Sequence, residues 1–238
     1  MKTPATRPDL RGEVASIRRS RLNPKRSDRH YLLLRRLRDD LAAAVRASDA
    51  RDVLDVYCGS RPYEPLFPAG TRYVGLDIDD SYGCADVVSD EFLPFPDRVF
   101  DLCLCTQSFQ FIPNPEAAIA EFRRVLRPGG HVLLTLALAY PGTVRLYSPL
   151  QLREAFAGWE NVVIVESGGT IVSLVTISAH LVHQIEKRLP GRLKPLFRVS
   201  YATMNTVGEL ADSFEHRFLA AAPKMPTNLL LSATAPRG

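Results

Sequence analysis

The stretch Val53-Leu54-Asp55-Val56-Tyr57-Cys58-Gly59-Ser60 decides the fold, together with Val74-Gly75-Leu76-Asp77, whose aspartate follows Asp55 by 22 positions. Both are apolar runs of strand length. The first leads into a turn and the second ends in a carboxylate. Two parallel strands spaced in this way hold an adenosine-containing ligand, because the turn meets its polar tail and the acid binds its ribose. The pair therefore predicts a nucleoside-binding edge of a parallel sheet.

The turn departs from the usual glycine-rich form. It keeps Gly59, but Tyr57 and Arg61 stand at two places where glycine is usual. A Cβ atom disfavours a positive φ angle and can crowd a bound ligand. Gly59 is therefore expected to be the point of closest ligand approach, and Tyr57 is the residue that most opposes the prediction.

Strand patterns alternate with helical patterns along the rest of the chain. Strands are expected at 52–56, 72–77, 86–88, 100–106, 131–138, 162–166 and 228–233, and helices at 31–45, 115–126 and 149–156. A helical insertion is expected at about 170–226, between the last two strands. Proline-rich residues 61–65 predict that the helix after the first strand is cut to one turn. The pattern predicts an α/β fold, a Rossmann-like three-layer sandwich around a mostly parallel seven-stranded sheet with an antiparallel last strand.

Charge is unevenly distributed along the 238 residues, which carry a net charge of +4. Residues 1–38 hold twelve Lys and Arg against three acidic residues. Residues 1–27 are interpreted as a flexible, basic leader before one domain at 28–238. Such an arm can contact nucleic acid or an anionic membrane, although a solvated leader is the simpler interpretation. Without a secretory signal or an apolar run of ~18 residues, we expect a cytoplasmic protein with no transmembrane segment; peripheral membrane contact stays open.

The cysteines and histidines predict no metal site. Cys103 and Cys105 share one face of an apolar strand, without the spacing of a disulfide framework or a zinc site. Buried, reduced thiols are the expected state. His180 and His183 stand three apart on an expected helix but lack carboxylate or thiol partners nearby in the sequence.

Four segments in this order resemble the class I S-adenosylmethionine-dependent methyltransferases, specifically the type 11-like group that acts on small molecules, lipids and glycans. The resemblance covers roughly residues 50–140. Its most distinctive parts are a Leu-Pro-Phe-Pro-Asp loop and an Arg-Val-Leu-Arg-Pro-Gly-Gly turn. The segments lie at 53–59, 74–77, 93–102 and 121–130.

The resemblance implies S-adenosylmethionine as the cofactor and assigns it three groups of contacts. The methionine end would lie against Asp55, Val56, Tyr57, Cys58 and Gly59. Asp77 would accept hydrogen bonds from the ribose hydroxyls, with Ile78 against the adenine, Asp90 facing its amino group, and Glu91 and Phe92 flanking the ring. Thr106 and Gln107 would close the site near the sulfonium.

The acceptor side is less determined by the sequence. Methyl transfer from a sulfonium needs a base only if the acceptor must lose a proton early. Gln110-Phe111 stands where many relatives have Glu-His, so the catalytic residues stay open. The candidate substrate contacts are Gln110, Tyr140, Arg145, Tyr147 and Glu166, with Glu166, Glu91 and Tyr140 also considered as bases. The apolar residues of the insertion either pack or wall an apolar pocket: Ile171, Leu174, Val175, Leu181, Val182 and Ile185.

The leading hypothesis is therefore an enzyme that methylates a small-molecule or lipid-linked acceptor. A non-catalytic relative that binds cofactor or a partner is the first alternative, favoured by Tyr57. A nucleic-acid methyltransferase is the second. It is disfavoured because residues 106–109 read Thr-Gln-Ser-Phe, not Asn/Asp-Pro-Pro-aromatic. A nicotinamide dehydrogenase lacks support because the first turn is not Gly-x-Gly-x-x-Gly. The oligomeric state stays open.

Overall fold

A computed structural model describes residues 10–89, 93–137, 145–218 and 225–237. Four of the expected site residues lie outside these ranges. They are Asp90, Glu91, Phe92 and Tyr140.

The centre of the molecule is a seven-stranded sheet in the order β3-β2-β1-β4-β5-β7-β6. All neighbouring pairs are parallel except those that β7 makes with β5 and β6. The predicted mostly parallel sheet with an antiparallel last strand is confirmed. The strands are β1 (Asp52–Val56), β2 (Arg72–Asp77), β3 (Val87–Val88), β4 (Phe100–Thr106), β5 (Leu126–Ala137), β6 (Glu160–Ser167) and β7 (Asn228–Thr234).

Helices cover both faces of this sheet, as a three-layer fold requires. Alternate residues of each central strand point to opposite faces, so Val53 packs towards one helical layer and Leu54 towards the other. Helix α2 supplies the core on the first face, and α3 and α4 supply it on the second. The helices are α1 (Arg11–Leu22), α2 (Tyr31–Ser48), α3 (Pro115–Val125), α4 (Pro149–Ala155), α5 (Thr170–Glu186) and α6 (Lys194–Phe218).

The segment after β1 and the start of β5 show how prolines and glycines shape the chain locally. The segment after β1 forms a single 3₁₀ turn at Glu64–Leu66, which confirms that prolines shorten this helix. Strand β5 begins at Leu126, earlier than the predicted residue 131, because its first residues already pair with the start of β4 and with Ala235. Gly130 is required there, since a Cβ atom would lie 2.9 Å from the Arg127 carbonyl oxygen.

Residues 11–22, within the expected basic leader, form helix α1. The Arg18 Nε donates to the Ser60 carbonyl oxygen at 2.6 Å, so α1 lies against the turn that follows β1. Leu22 packs against the core beneath α2. Helix α1 is thereby attached to the nucleoside-binding edge of the sheet.

The segment between β6 and β7 contains α5 and α6, which pack against each other and against α2. The N-terminus of α5 is capped from α6, because the Glu215 carboxylate accepts from the backbone N–H groups of Thr170 and Ile171 at 2.9 Å each. Gly169 permits this approach, since a Cβ atom would lie 2.6 Å from the Glu215 Oε1.

None of the helices within the described ranges is long and apolar enough to cross a membrane.

Candidate cofactor and acceptor site

The sheet order reverses direction between β1 and β4. In open α/β sheets, ligands bind outside the carboxyl ends of the strands at this point. The turn after β1, Asp77 at the end of β2, and Thr106 and Gln107 at the end of β4 meet there. The topology therefore brings together three segments that the resemblance assigned to the cofactor.

The turn after β1 takes left-handed backbone conformations at three positions. The φ angles are 58° at Tyr57, 52° at Gly59 and 50° at Arg61. Residues with side chains pay about 1–2 kcal/mol for this conformation. Tyr57 is half-buried and packs on the apolar core, so its backbone follows the path of a glycine while its side chain joins the interior.

Arg61, the other departure from the glycine pattern, is a structural cross-link. Its guanidinium pairs with Asp86 at 2.8 Å and with Glu64 at 3.1 Å. It also donates to the Tyr73 carbonyl oxygen at 2.9 Å and lies over the Tyr73 ring. These contacts fix the turn after β1 to β2 and to the segment before β3.

Asp77 connects β2 to the same turn. Its Oδ2 accepts the Gly59 N–H at 2.7 Å, and its Oδ1 accepts the Ile78 N–H at 2.8 Å. Each carboxylate oxygen has a second lone pair that can accept a ribose hydroxyl. A Cβ atom built on Gly59 meets no heavy atom within 4 Å, so open space lies over the turn. Ile78 is 53% exposed beside it, which is an apolar surface suited to an adenine face.

Asp55 lies beneath the turn and is only 1% exposed. Its Oδ2 accepts the Tyr73 hydroxyl at 2.6 Å, whereas its Oδ1 is buried without a hydrogen-bond partner. Burial raises the pKa of Asp55 to about 7, opposed by the Tyr73 hydrogen bond and by the positive charge of Arg61. The unpartnered oxygen makes this carboxyl a candidate acceptor for a donor at the methionine end of the cofactor.

The end of β4 is held by amide contacts. Gln107 has a φ angle of 57°, and its backbone N–H donates to the Thr135 carbonyl oxygen at 2.8 Å. Its side-chain Nε2 donates to Thr135 Oγ1 and to Asn228 Oδ1, both at 3.2 Å. Thr106 is half-buried at the last position of the strand. Gln107 is thereby fixed where β4, β5 and β7 converge.

The loop that carries much of the resemblance is held by one arginine of α3. The Arg124 guanidinium donates to the carbonyl oxygens of Leu93 at 2.8 Å and Phe95 at 2.7 Å. It also pairs with Glu121 at 2.7 Å and Asp97 at 2.9 Å. These carboxylates raise the pKa of Arg124. The loop at residues 93–97 and the end of α3 are therefore held together by this one side chain.

A cavity of about 710 Å³ extends from this site between α1, α2 and α5. Gln107 and Ala137 contribute to it from the carboxyl ends of β4 and β5, and Tyr82 contributes from the loop after β2. It is therefore continuous with the candidate cofactor site, on the side where an acceptor must approach.

The described substrate candidates lie apart from this cavity. Gln110 is buried and donates to the Gln107 carbonyl oxygen at 3.0 Å. Arg145 donates to the Pro113 carbonyl oxygen at 2.8 Å, and Tyr147 packs on Phe109, with ring centroids 5.5 Å apart. Glu166 is exposed on the edge strand β6. Their assignment as substrate contacts stays a prediction.

The face of α5 that lines the cavity differs from the expected apolar wall. None of the six apolar insertion residues named from the sequence is among its lining residues. Instead α5 presents Ser173, Thr176, Ile177, His180, His183, Gln184 and Lys187. Sequence reasoning missed this polar face because the helix is apolar on more than one side. The sequence signal that could have indicated this face was the clustering of basic and histidine residues at 180–188 and in the first forty residues.

The buried thiols lie beneath the site and show no metal-binding arrangement. Cys103 and Cys105 are buried in β4, where burial raises the pKa of both thiols. Within the described residues, no group of three His, Cys, Asp or Glu side chains is placed to hold a metal ion. His131 of β5 pairs with Leu102 of β4, near the amino end of β4 and away from the site.

Comparison with known proteins agrees with this geometry. Residues 54–134 match the family model described as a methyltransferase domain. A malonyl-[acyl-carrier protein] O-methyltransferase of Erwinia pyrifoliae is 28% identical over 57% of this chain and 52% of its own length. A fatty-acid O-methyltransferase of Mycolicibacterium smegmatis is 32% identical over 39% of each chain. The chain thus spans about half the length, or less, of these two curated relatives.

Among solved structures, the [4+2]-cyclase SpnF superposes with a TM-score of 0.55 at 21% identity, over 87% of this chain and 83% of the cyclase. At that identity the likeness concerns the fold. Methyltransferase domains of this type use S-adenosylmethionine, which is accordingly the cofactor that the turn and Asp77 are suited to hold. By its matched domain at residues 54–134 and its sheet order, the chain is similar to the class I S-adenosylmethionine-dependent methyltransferases.

Proposed function

We propose that the protein transfers a methyl group, in line, from S-adenosylmethionine to a small-molecule, lipid or glycan-linked acceptor. The observation that carries the proposal is the contact between the Asp77 carboxylate and the Gly59 N–H, at 2.7 Å. It joins β2 to the turn after β1 and leaves open space over Gly59. A ribose and a methionine tail need these two features side by side.

The residues present fit the cofactor. Asp77 would hold the ribose, Ile78 would lie against the adenine, and the turn at 57–59 would follow the methionine tail. The buried, unpartnered Oδ1 of Asp55 supports a donor at that end. When bound, S-adenosylmethionine supplies an electrophilic methyl group on a sulfonium.

The protein's own contribution is alignment and exclusion of water, which supply much of the acceleration in displacement reactions. Gln107 is fixed by three hydrogen bonds where the cavity meets the sheet. The walls of α1, α2 and α5 would orient an acceptor towards this point. An acceptor that is already ionised needs no base, which agrees with a site in which no base is evident among the described residues.

The names of the relatives support the acceptor class. One is an O-methyltransferase of a malonyl group on acyl-carrier protein, and the other is an O-methyltransferase of fatty acids. Both acceptors are acyl compounds. A small or lipid-linked acceptor also suits a cavity of about 710 Å³.

A non-catalytic relative is the alternative that specific observations favour. Tyr57 occupies a left-handed position in the cofactor turn, and a protein with this fold is described as a [4+2]-cyclase. Fold alone does not determine the reaction. This alternative differs from the proposal in turnover and not in architecture.

Calorimetry with S-adenosylmethionine and S-adenosylhomocysteine tests the proposal. Both ligands should bind, and Asp77→Asn should weaken each by about tenfold, because a charged acceptor is lost from two hydroxyl contacts. Asp39→Asn, an exposed carboxylate on α2, is the matched control and should bind as the wild type does. No heat with either ligand would exclude the enzyme.

Turnover separates the proposal from its alternative. Release of S-adenosylhomocysteine in the presence of fatty acids, or of dicarboxylic acids bound to acyl-carrier protein as thioesters, would support catalysis. Tight cofactor binding without release from these or from hydroxyl acceptors would favour the non-catalytic alternative.

A further inference from the structure

The cavity between α1, α2 and α5 is lined by basic side chains. Among the lining residues that fall within the described ranges there is no aspartate or glutamate. The six basic or histidine residues come from α1, from the segment before α2, and from α5 and its C-cap. They are Arg21, Arg29, His30, His180, His183 and Lys187.

Three of these cations lack an acidic partner. Within the described ranges, Arg21, Arg29 and Lys187 form no salt bridge. By contrast, the half-buried Arg36 and Arg61 are paired with Asp212 and Asp86. Removing a cation from water without a partner costs free energy. A cavity wall built from such groups is therefore suited to an anionic ligand.

His30 belongs to the basic wall, which consists of the six cavity-lining residues Arg21, Arg29, His30, His180, His183 and Lys187. It is half-buried, and its Nε2 accepts the Arg29 Nε–H at 2.8 Å. Burial, together with the positive charges of Arg29, Arg21, His180 and His183, lowers the pKa of His30 to about 4. His30 is therefore neutral at pH 7, and its environment is one in which added positive charge is unfavourable and negative charge is favoured.

The basic wall and the sheet edge lie at different places along α5. Ser173 lies near the sheet, since its hydroxyl contacts the Met225 carbonyl oxygen just before β7. His180 and Lys187 follow Ser173 by two and four helical turns, which is about 10 Å and about 21 Å along the axis. The part of the cavity between these ends includes the apolar side chains Ile17, Leu33, Leu34 and Ile177. The cavity thus has a neutral end at Gln107, an apolar middle and a cationic end.

We propose that this cavity binds an acceptor that carries a carboxylate or phosphate group, held by Arg21, Arg29 and Lys187 with the neighbouring histidines. The apolar middle would contact a hydrocarbon segment of the same molecule. This inference rests on the proposed function, because it names the chemical class of the acceptor for that site. It does not depend on which atom receives the methyl group.

Calorimetry with three probes of equal chain length tests it: octanoate, octyl phosphate and octanol, each titrated into full-length protein saturated with S-adenosylhomocysteine. At least one anionic probe should bind about tenfold more tightly than octanol, and its affinity should fall with added salt. The stronger of the two anions identifies the headgroup. Equal affinity for octanol, or no binding of either anion, would overturn the proposal.

Variants place the bound anion on the basic wall. Arg29→Gln should weaken binding of the preferred anionic probe by about tenfold. Lys187→Gln should weaken it by about threefold, because Lys187 is exposed. Binding of octanol should be unchanged in both variants. Arg192→Gln removes an exposed cation that does not line the cavity and should have no effect. An equal loss in the control, or no loss in either cavity variant, would refute the assignment. Binding of S-adenosylhomocysteine, measured first, shows separately whether the proposed function itself holds.

Discussion

Asp55 makes the stability of the protein dependent on pH in a way that can be worked out from its environment. The carboxyl is 1% exposed, and burial raises its pKa from 3.8 to about 7. The folded protein therefore binds this proton more tightly than the unfolded chain does. The stability that this group contributes is complete below pH ~3.8 and is lost as the pH rises towards about 7.

The expected magnitude follows from linkage. With a pKa of 3.8 in the unfolded chain and about 7 in the folded protein, the wild type should lose roughly 2.5 kcal/mol of stability between pH 5 and pH 8 through this carboxyl. Asp55→Asn keeps an acceptor for the Tyr73 hydroxyl and cannot ionise. The free energy of unfolding of the variant, relative to wild type, should therefore rise by about that amount over the same interval.

Urea unfolding of both proteins at pH 5, 6, 7 and 8 measures this difference, because other titrating groups cancel in the subtraction. Asp49→Asn is the control. It changes a carboxylate that is 86% exposed, at a left-handed position that asparagine tolerates. Its difference from wild type should stay flat. A pKa difference of one unit corresponds to ~1.4 kcal/mol. If the difference in free energy of unfolding between Asp55→Asn and the wild type varies by less than about 0.5 kcal/mol across the series, the reasoning is refuted.

Three other expectations concern stability, measured by urea unfolding. Gly59→Val should lower the free energy of unfolding by about 2 kcal/mol, because its φ angle of 52° disfavours a side chain even though no atom obstructs one. Gly12→Ala in α1, the control, should be neutral or stabilising. Equal effects of the two substitutions would contradict the argument from backbone conformation. Glu215→Ala removes the cap of α5 and should cost about 1–2 kcal/mol, and an unchanged midpoint would show that the cap is not needed. Arg124→Lys cannot reproduce four simultaneous contacts and should cost about 1–2 kcal/mol, while the exposed Arg123→Lys should not.

The sheet and the cofactor edge could be predicted because their determinants are local. An apolar run of five to seven residues followed by a turn predicts a buried strand, and the spacing from Asp55 to Asp77 requires neighbouring parallel strands. The contact between Asp77 and Gly59 follows from that register. Tyr57 shows where residue type alone is insufficient. The sequence indicates an obstacle, but the side chain packs inward while the backbone keeps the turn.

The basic wall could not be predicted because it is assembled from separate segments. Lys187 lies 158 positions after Arg29 in the chain, and charged residues on amphipathic helices usually face solvent. Which face of α5 meets α1 and α2 depends on the packing of three helices, and no periodicity in a single sequence reports that. The same limit applies to Gln110 and Arg145, whose backbone contacts only the folded chain reveals.

Helix α1 is shared by the two halves of the site. Arg18 contacts the turn that would carry the cofactor, while Ile17 and Arg21 line the cavity that would carry the acceptor. A change in the position of α1 would alter both at once, so we expect the two proposed ligands to be energetically coupled through this helix. Such coupling is reciprocal: by whatever factor the cofactor changes acceptor affinity, the acceptor changes cofactor affinity by the same factor. How firmly this twelve-residue helix is held would therefore set the size of that factor.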